Sequence, residues 1–199
     1  MSRRRRRSGF TLMEVAVAAV LIAVLAAATI PTLSEFMSGR DAASTANTLS
    51  QIATGVSAFK NAVSTIGGST NTYPRFISSL TTPITTSSRN SCYNTFNSHA
   101  VNDWENAGPF VTFYIPPGGL STPLGVIQDS MFRSPNSAAA GTLAIRMTVD
   151  SVDAIRLDRI IDGGDGASAG TLRITSFNGT GGQTRTANLQ YLIPVAAKC

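Results

Sequence analysis

The chain has 199 residues and a mass of 20.8 kDa, of which 43% are apolar; that bounds it to one modest domain plus an anchor and excludes a chain too polar to build a core. Its formal charge of +5 comes from 16 Lys and Arg against 11 Asp and Glu, but five of those bases stand together at residues 3–7. A dispersed basic stripe of the kind that binds nucleic acid is therefore excluded.

In chain order, the arginine block leads through Gly9-Phe10-Thr11-Leu12-Met13-Glu14 into an almost unbroken apolar run, 15–30. Thr11-x-x-Glu14 fits a capping box, in which the threonine caps a helix and the glutamate answers the cap's own amide. A carboxylate near the centre of a membrane helix costs about 2.5 to 3.5 kcal/mol, so Glu14 also implies a partner if this run enters a bilayer. The run has 16 residues, extended to 21 by residues 10–14, against roughly 20 needed to span. Alanines at 16, 18, 19, 23, 26, 27 and 28 favour helix and let neighbouring helices approach closely. Pro31 removes a backbone donor and predicts a kink or a loosened turn. A basic block, an apolar run and the small residues 26–28 also describe an ordinary secretory signal peptide cut near Thr29. Glu14 and its Gly-Phe-Thr-Leu setting argue against that reading, because a charge there weakens a signal peptide.

These residues resemble the type IV prepilin family, the subunits of type IV pili and of type II secretion pseudopili. The order is a short basic leader ending in Gly9, then Phe10, Thr-Leu-x-Glu14, an apolar helix and Pro31. Specific resemblance covers about the first fifth of the chain; beyond residue 58 it is architectural. It implies cleavage between Gly9 and Phe10 by a prepilin peptidase, with N-methylation of Phe10 by the same enzyme. It implies too that Glu14 neutralises the Phe10 amino group of a neighbouring subunit. Removing residues 1–9 leaves 11 basic residues against 11 acidic ones, so the positive balance belongs to the leader, where it holds the N-terminus on the cytoplasmic face.

After Pro31, Leu49, Ile52, Ala53, Val56, Phe59, Val63 and Ile66 recur at three- and four-residue steps. The spacing predicts one long helix over 10–66, about 85 Å, whose second half lies on a globular head and which Gly67-Gly68 stops. The Ser-, Thr- and Asn-rich stretch 69–109 reads as a long connecting region that wraps the helix, with short helical turns around 76–80 or 94–104. His99, the single histidine, reads as an ordinary loop residue. Strand signals follow at 110–115, 142–149, 171–177 and 188–193, the third alternating Leu172 and Ile174 with Arg173 and Thr175. An antiparallel sheet with one wet face, packed on the helix, makes the fold α+β. The expected organisation is a leader at 1–9, an assembly half of the helix at 10–31, an amphipathic half at 32–66 and a head at 67–199.

Asp158, Asp162 and Asp165 stand in a glycine-rich stretch, and the resemblance raises calcium, which some pseudopilins hold in such a loop. The regular EF-hand spacing is absent, calcium wants six to eight oxygens, and the glycines equally serve a turn between strands; no metal is expected. Asp158, Arg159 and Asp162 are expected to order that loop. Cys92 and Cys199 either bridge, fastening the C-terminus to the connecting region, or stay as two thiols; the resemblance supports the bridge. No phosphate loop, paired metal-ligand spacing or nucleophile elbow occurs, so neither an enzyme nor a cofactor is expected. The expected function is a self-associating type IV pilin-like subunit. It begins as a single-pass precursor in the bacterial inner membrane and is extracted into a fibre by an assembly platform. A minor pilin, a secretion pseudopilin and a secreted or tethered binding domain are the alternatives.

Overall fold

In a computed structural model of the chain, residues 11–63, 73–91, 93–133, 142–179 and 185–195 are described, with the side chains of 28–32, 34 and 133 outside that description. Gly9, Phe10, Gly67, Gly68, Cys92 and Cys199 lie outside the described residues. The chain divides into two compact units, Met1–Arg40 and Asp41–Cys199.

The first unit holds the start of helix α1 (Leu12–Val63), whose backbone is helical at residue 31 as on either side of it. Its apolar side chains are open to solvent: Leu12, Val15, Val20, Ile22, Leu25, Phe36 and Met37 are each more than half exposed. Water contact at this density is the unfavourable state for such surface.

The second unit begins where α1 becomes amphipathic. Leu49, Ile52, Val56, Phe59 and Val63 are buried on one stripe of the helix, as their spacing predicts, with Ala53 half-buried beside them, and Ala42 is buried as well. The hydroxyl of Thr45, buried on the same stripe, donates to the Asp41 carbonyl at 2.9 Å and so carries no unsatisfied polar group into the core. Gly55 allows a close approach: a Cβ there would stand 2.6 Å from Val111 Cγ1 and 3.1 Å from the Phe110 carbonyl oxygen.

Five strands, β1 (Leu120–Thr122), β2 (Gly125–Arg133), β3 (Thr142–Asp150), β4 (Leu172–Asn178) and β5 (Thr186–Pro194), form an antiparallel sheet in the order β1-β2-β3-β5-β4. The fold is α+β. The central β3–β5 pairing runs without a break from Thr142↔Pro194 to Asp150↔Thr186. Leu143, Ile145, Met147 and Val149 of β3 and Leu189 and Ile193 of β5 turn one face inward and share a core with the buried stripe of α1. The intervening segment supplies the rest through a 3-10 turn at Ile77–Leu80 and helix α2 (Ser98–Ala107), capped by Asn97. Phe59 packs on Phe96 and Phe110, with ring centroids 5.9 and 5.2 Å away.

Three sequence expectations are corrected. Residues 110–115 are not a strand: the Phe110 amide donates to the Leu80 carbonyl and that of Ile115 to Thr81 Oγ1, so this apolar segment spends its backbone on the 3-10 turn instead of a ladder. Strands β1 and β2 were not expected, because Pro123, Gly125 and the polar Gln128-Asp129-Ser130 interrupt the alternation; the register accordingly shifts between Ile127 and Met131. The stretch between β3 and β4 is no simple turn. It contains helix α3 (Ser151–Asp162), whose N-cap Asp150 accepts from the Val152 amide at 2.8 Å.

Candidate functional site

The residues singled out by the sequence fall in two places, one in each unit. In the first, Thr11 and Glu14 make the reciprocal capping box. The Thr11 amide donates to Glu14 Oε2 at 2.9 Å, the Thr11 hydroxyl donates to the same oxygen at 3.1 Å, and the Glu14 amide donates to Thr11 Oγ1 at 3.3 Å. Both bonds to the carboxylate use Oε2, which leaves Oε1 for an acceptor role outside this turn. Thr11, Glu14, Val17, Ala18 and Leu21 line one hollow on the helix surface, so the single acid stands at the head of an apolar stripe. A carboxylate in that position suits a cationic partner that arrives together with apolar surface. Among the described residues no helix is long and apolar enough to cross a membrane.

In the second unit, Asp158 and Asp162 lie one turn apart near the end of α3, and Asp165 follows in the loop. One carboxylate oxygen from each lies within 4.8 Å of the others. Asp158 is buried and its Oδ1 has no hydrogen-bond partner. Burial, then the charge of Asp165 and, more weakly, that of Asp162 push its carboxyl above the usual aspartate range; a bond from the Gly166 amide works the other way. Asp162 Oδ2 accepts from the Leu172 amide at 2.6 Å, joining the end of α3 to the first residue of β4. Gly170, at φ 70°, passes so close that a Cβ there would meet the carboxylates of Asp162 and Asp165 at 2.6 to 2.7 Å. Burial and the Asp162 charge also raise the Tyr191 phenol above its ordinary value.

One oxygen from each carboxylate faces the other two, which gives three ligands against the six to eight that calcium takes, and Asp162 Oδ2 is engaged by the Leu172 amide. The arrangement clamps the α3–β4 connection, with Asp162 as the group that orders it. Arg159, expected to share that work, makes no ion pair among the described residues, where Arg156–Asp153 at 3.0 Å is the pair formed. His99 lies exposed on α2, while Trp104 on the same helix is buried and donates to the Ser79 carbonyl at 2.8 Å. His99 joins no group of metal-ligating side chains among the described residues.

Sequence reasoning passed over the outward face of the sheet. The pairings Arg146↔Gln190 and Arg173↔Gln190 bring three long polar side chains into one row across β3, β5 and β4. The alternation of β3 signals that Arg146 points away from the core, but the row exists only once the strand order is known.

Residues 4–30 match the family model described as Prokaryotic N-terminal methylation motif. This is the type IV prepilin-type signal, and Gly9, Phe10 and Glu14 all fall inside it. Neither the curated proteins nor the solved structures give a match to the chain.

Proposed function

We propose that the chain is a structural, non-enzymatic subunit of a type IV pilus-like fibre, and the observation that carries this reading is the methylation motif over residues 4–30. In this reading the precursor is held in the bacterial inner membrane by residues 10–31, with the arginine block on the cytoplasmic side. Prepilin peptidase removes residues 1–9 and Phe10 is methylated on its new amino group. The assembly platform then draws the subunit into a fibre, where the exposed apolar surface of α1 is covered by copies of itself or by other pilins. Exposed side chains such as Leu12, Val20 and Ile22 support an assembled state, since burial of apolar surface returns about 25 cal/mol per Å².

Glu14 supplies the specificity of that contact. Its Oε1 accepts the Phe10 ammonium of a neighbouring copy while Oε2 keeps the Thr11 cap, so pairing and local helix stability do not compete for one atom. A contact between the start of one helix and a different stretch of the next is heterologous and propagates without closing. A minor pilin or a secretion pseudopilin would use the same helix, and copy number in a sheared fibre separates a major from a minor subunit.

Intact mass and N-terminal sequencing of the protein recovered from the producing cell test the reading. The expected product starts at Phe10 and carries one extra methyl. A start near Thr29 would mean an ordinary signal peptide and would remove the basis for assembly.

A further inference from the structure

Two neighbouring rows of polar side chains cross the outward face of the sheet, and they differ in one respect. In the first row, Thr148 Oγ1 donates to Asn188 Oδ1 at 2.9 Å and Asn188 Nδ2 donates to Ser176 Oγ at 2.9 Å, so the row is satisfied from strand to strand. The bulge in β4 between Ile174 and Ser176 adds Thr175, whose hydroxyl donates to the Asn188 carbonyl at 3.1 Å. In the second row, Arg146, Gln190 and Arg173 are aligned in the same way, yet none of the three side chains makes a hydrogen bond or ion pair among the described residues. Arg173 Nε is in addition buried without a partner. The Arg146 guanidinium is held in place over the Phe132 ring, 3.6 Å from its centroid.

Between these rows lies a pocket of about 250 Å³ whose lining includes Gln128, Arg146, Thr148, Thr175, Asn188 and Gln190. Gln128, like Gln190, has its amide uncommitted among the described residues. Arg146 and Arg173 stand opposite Gln190 on its two neighbouring strands, with Cα atoms about 10 Å apart at the usual strand spacing, and of the two Arg146 lines the pocket. An unpaired guanidinium beside uncommitted amides is a donor set for a carboxylate next to hydroxyls. We propose that this face binds an acidic carbohydrate of the uronate class, its carboxylate on Arg146 and its ring hydroxyls on Gln128 and Gln190. An acidic peptide fits less well. Extended peptides dock by pairing with the free backbone of a sheet edge, and this pocket opens on the sheet's outward face, across side chains of β2, β3, β5 and β4.

The test uses the full mature chain in a mild detergent, titrated calorimetrically with trigalacturonate, with a neutral trisaccharide and with triglutamate. Trigalacturonate should bind, more weakly as salt is raised, while the neutral sugar and triglutamate should not. Arg146→Ala should weaken trigalacturonate binding about tenfold or more, the scale of one lost charge-assisted pair. Gln190→Ala, which removes no charge, should weaken it while leaving its salt dependence unchanged. Absence of trigalacturonate binding, equal binding of the neutral sugar, or equal binding of triglutamate would each overturn the proposal. So would undiminished affinity in both variants. The measurement does not depend on fibre formation, so its outcome is separate from that of the assembly reading.

Discussion

Asp162 Oδ2 and the Leu172 amide meet at 2.6 Å, and this bond ties the end of α3 to the start of β4. The carboxylate is partly buried and the amide belongs to a fully buried residue, so removing the acceptor strands a buried donor. Asp162→Ala should lower stability by about 1.5 to 3 kcal/mol, and Asp162→Asn, which keeps an oxygen at the same place, by less. Denaturant unfolding followed through Trp104 fluorescence checks both.

Asp158 gives the head a pH dependence of opposite sign to the common one for carboxylates. Its carboxyl is raised by burial and by Asp165 and Asp162, so the folded chain binds a proton that the unfolded chain has already released. Stability from this group is therefore complete below the ordinary aspartate value and falls as pH rises through the window up to the raised value. Asp158→Asn removes the charge at every pH. The variant should be more stable than the parent at neutral pH, and the difference should vanish when both are unfolded at a pH below the ordinary aspartate range.

Gly170 sits at φ 70° against two carboxylates. A methyl group there meets both the left-handed backbone, costing about 1 kcal/mol or more, and the oxygens of Asp162 and Asp165. Gly170→Ala should thus lower the midpoint of thermal unfolding. A midpoint equal to the parent's would mean that the loop re-forms without this close approach.

Phe59 is fully buried, between Phe96 and Phe110. Phe59→Ala should cost about 3 to 5 kcal/mol, the range for truncating a buried aromatic. Circular dichroism during chemical unfolding gives the value.

Glu14→Ala should leave membrane insertion and removal of residues 1–9 intact, because neither uses the carboxylate, yet reduce incorporation into sheared fibres. Immunoblots of sheared and cell-bound fractions distinguish the steps. Parent-level incorporation of the variant would contradict the pairing with Phe10.

Much of the helical architecture was legible because its signals are local. The 3.6-residue recurrence from Leu49 to Val63 named the buried stripe of α1, and Thr11-x-x-Glu14 named the reciprocal cap, since both depend on residues within one or two turns of each other. Three of the four expected strands stand where alternation placed them, at β3, β4 and β5. The apolar segment 110–115 misled, because β-branched and aromatic residues suit any buried extended chain, and only the bonds of Phe110 and Ile115 to the 3-10 turn decide against a ladder. Helix α3 went unread for the converse reason: its acids drew attention to the loop chemistry of Asp158, Asp162 and Asp165, while Asp150 as cap and Ala154 and Leu157 as core residues carried the helical signal.

By itself the sequence determined the methylation motif over residues 4–30, the placement of Glu14 at the start of an apolar helix and the α+β class, because each rests on residue order over short distances. Tertiary structure decided the rest: that Asp162 reaches Leu172, that Asp158 is left buried among like charges, and that Arg146, Gln190 and Arg173 fall in one row. Strand order and register set those meetings. Both follow from how the whole core closes, which no short stretch of the chain encodes.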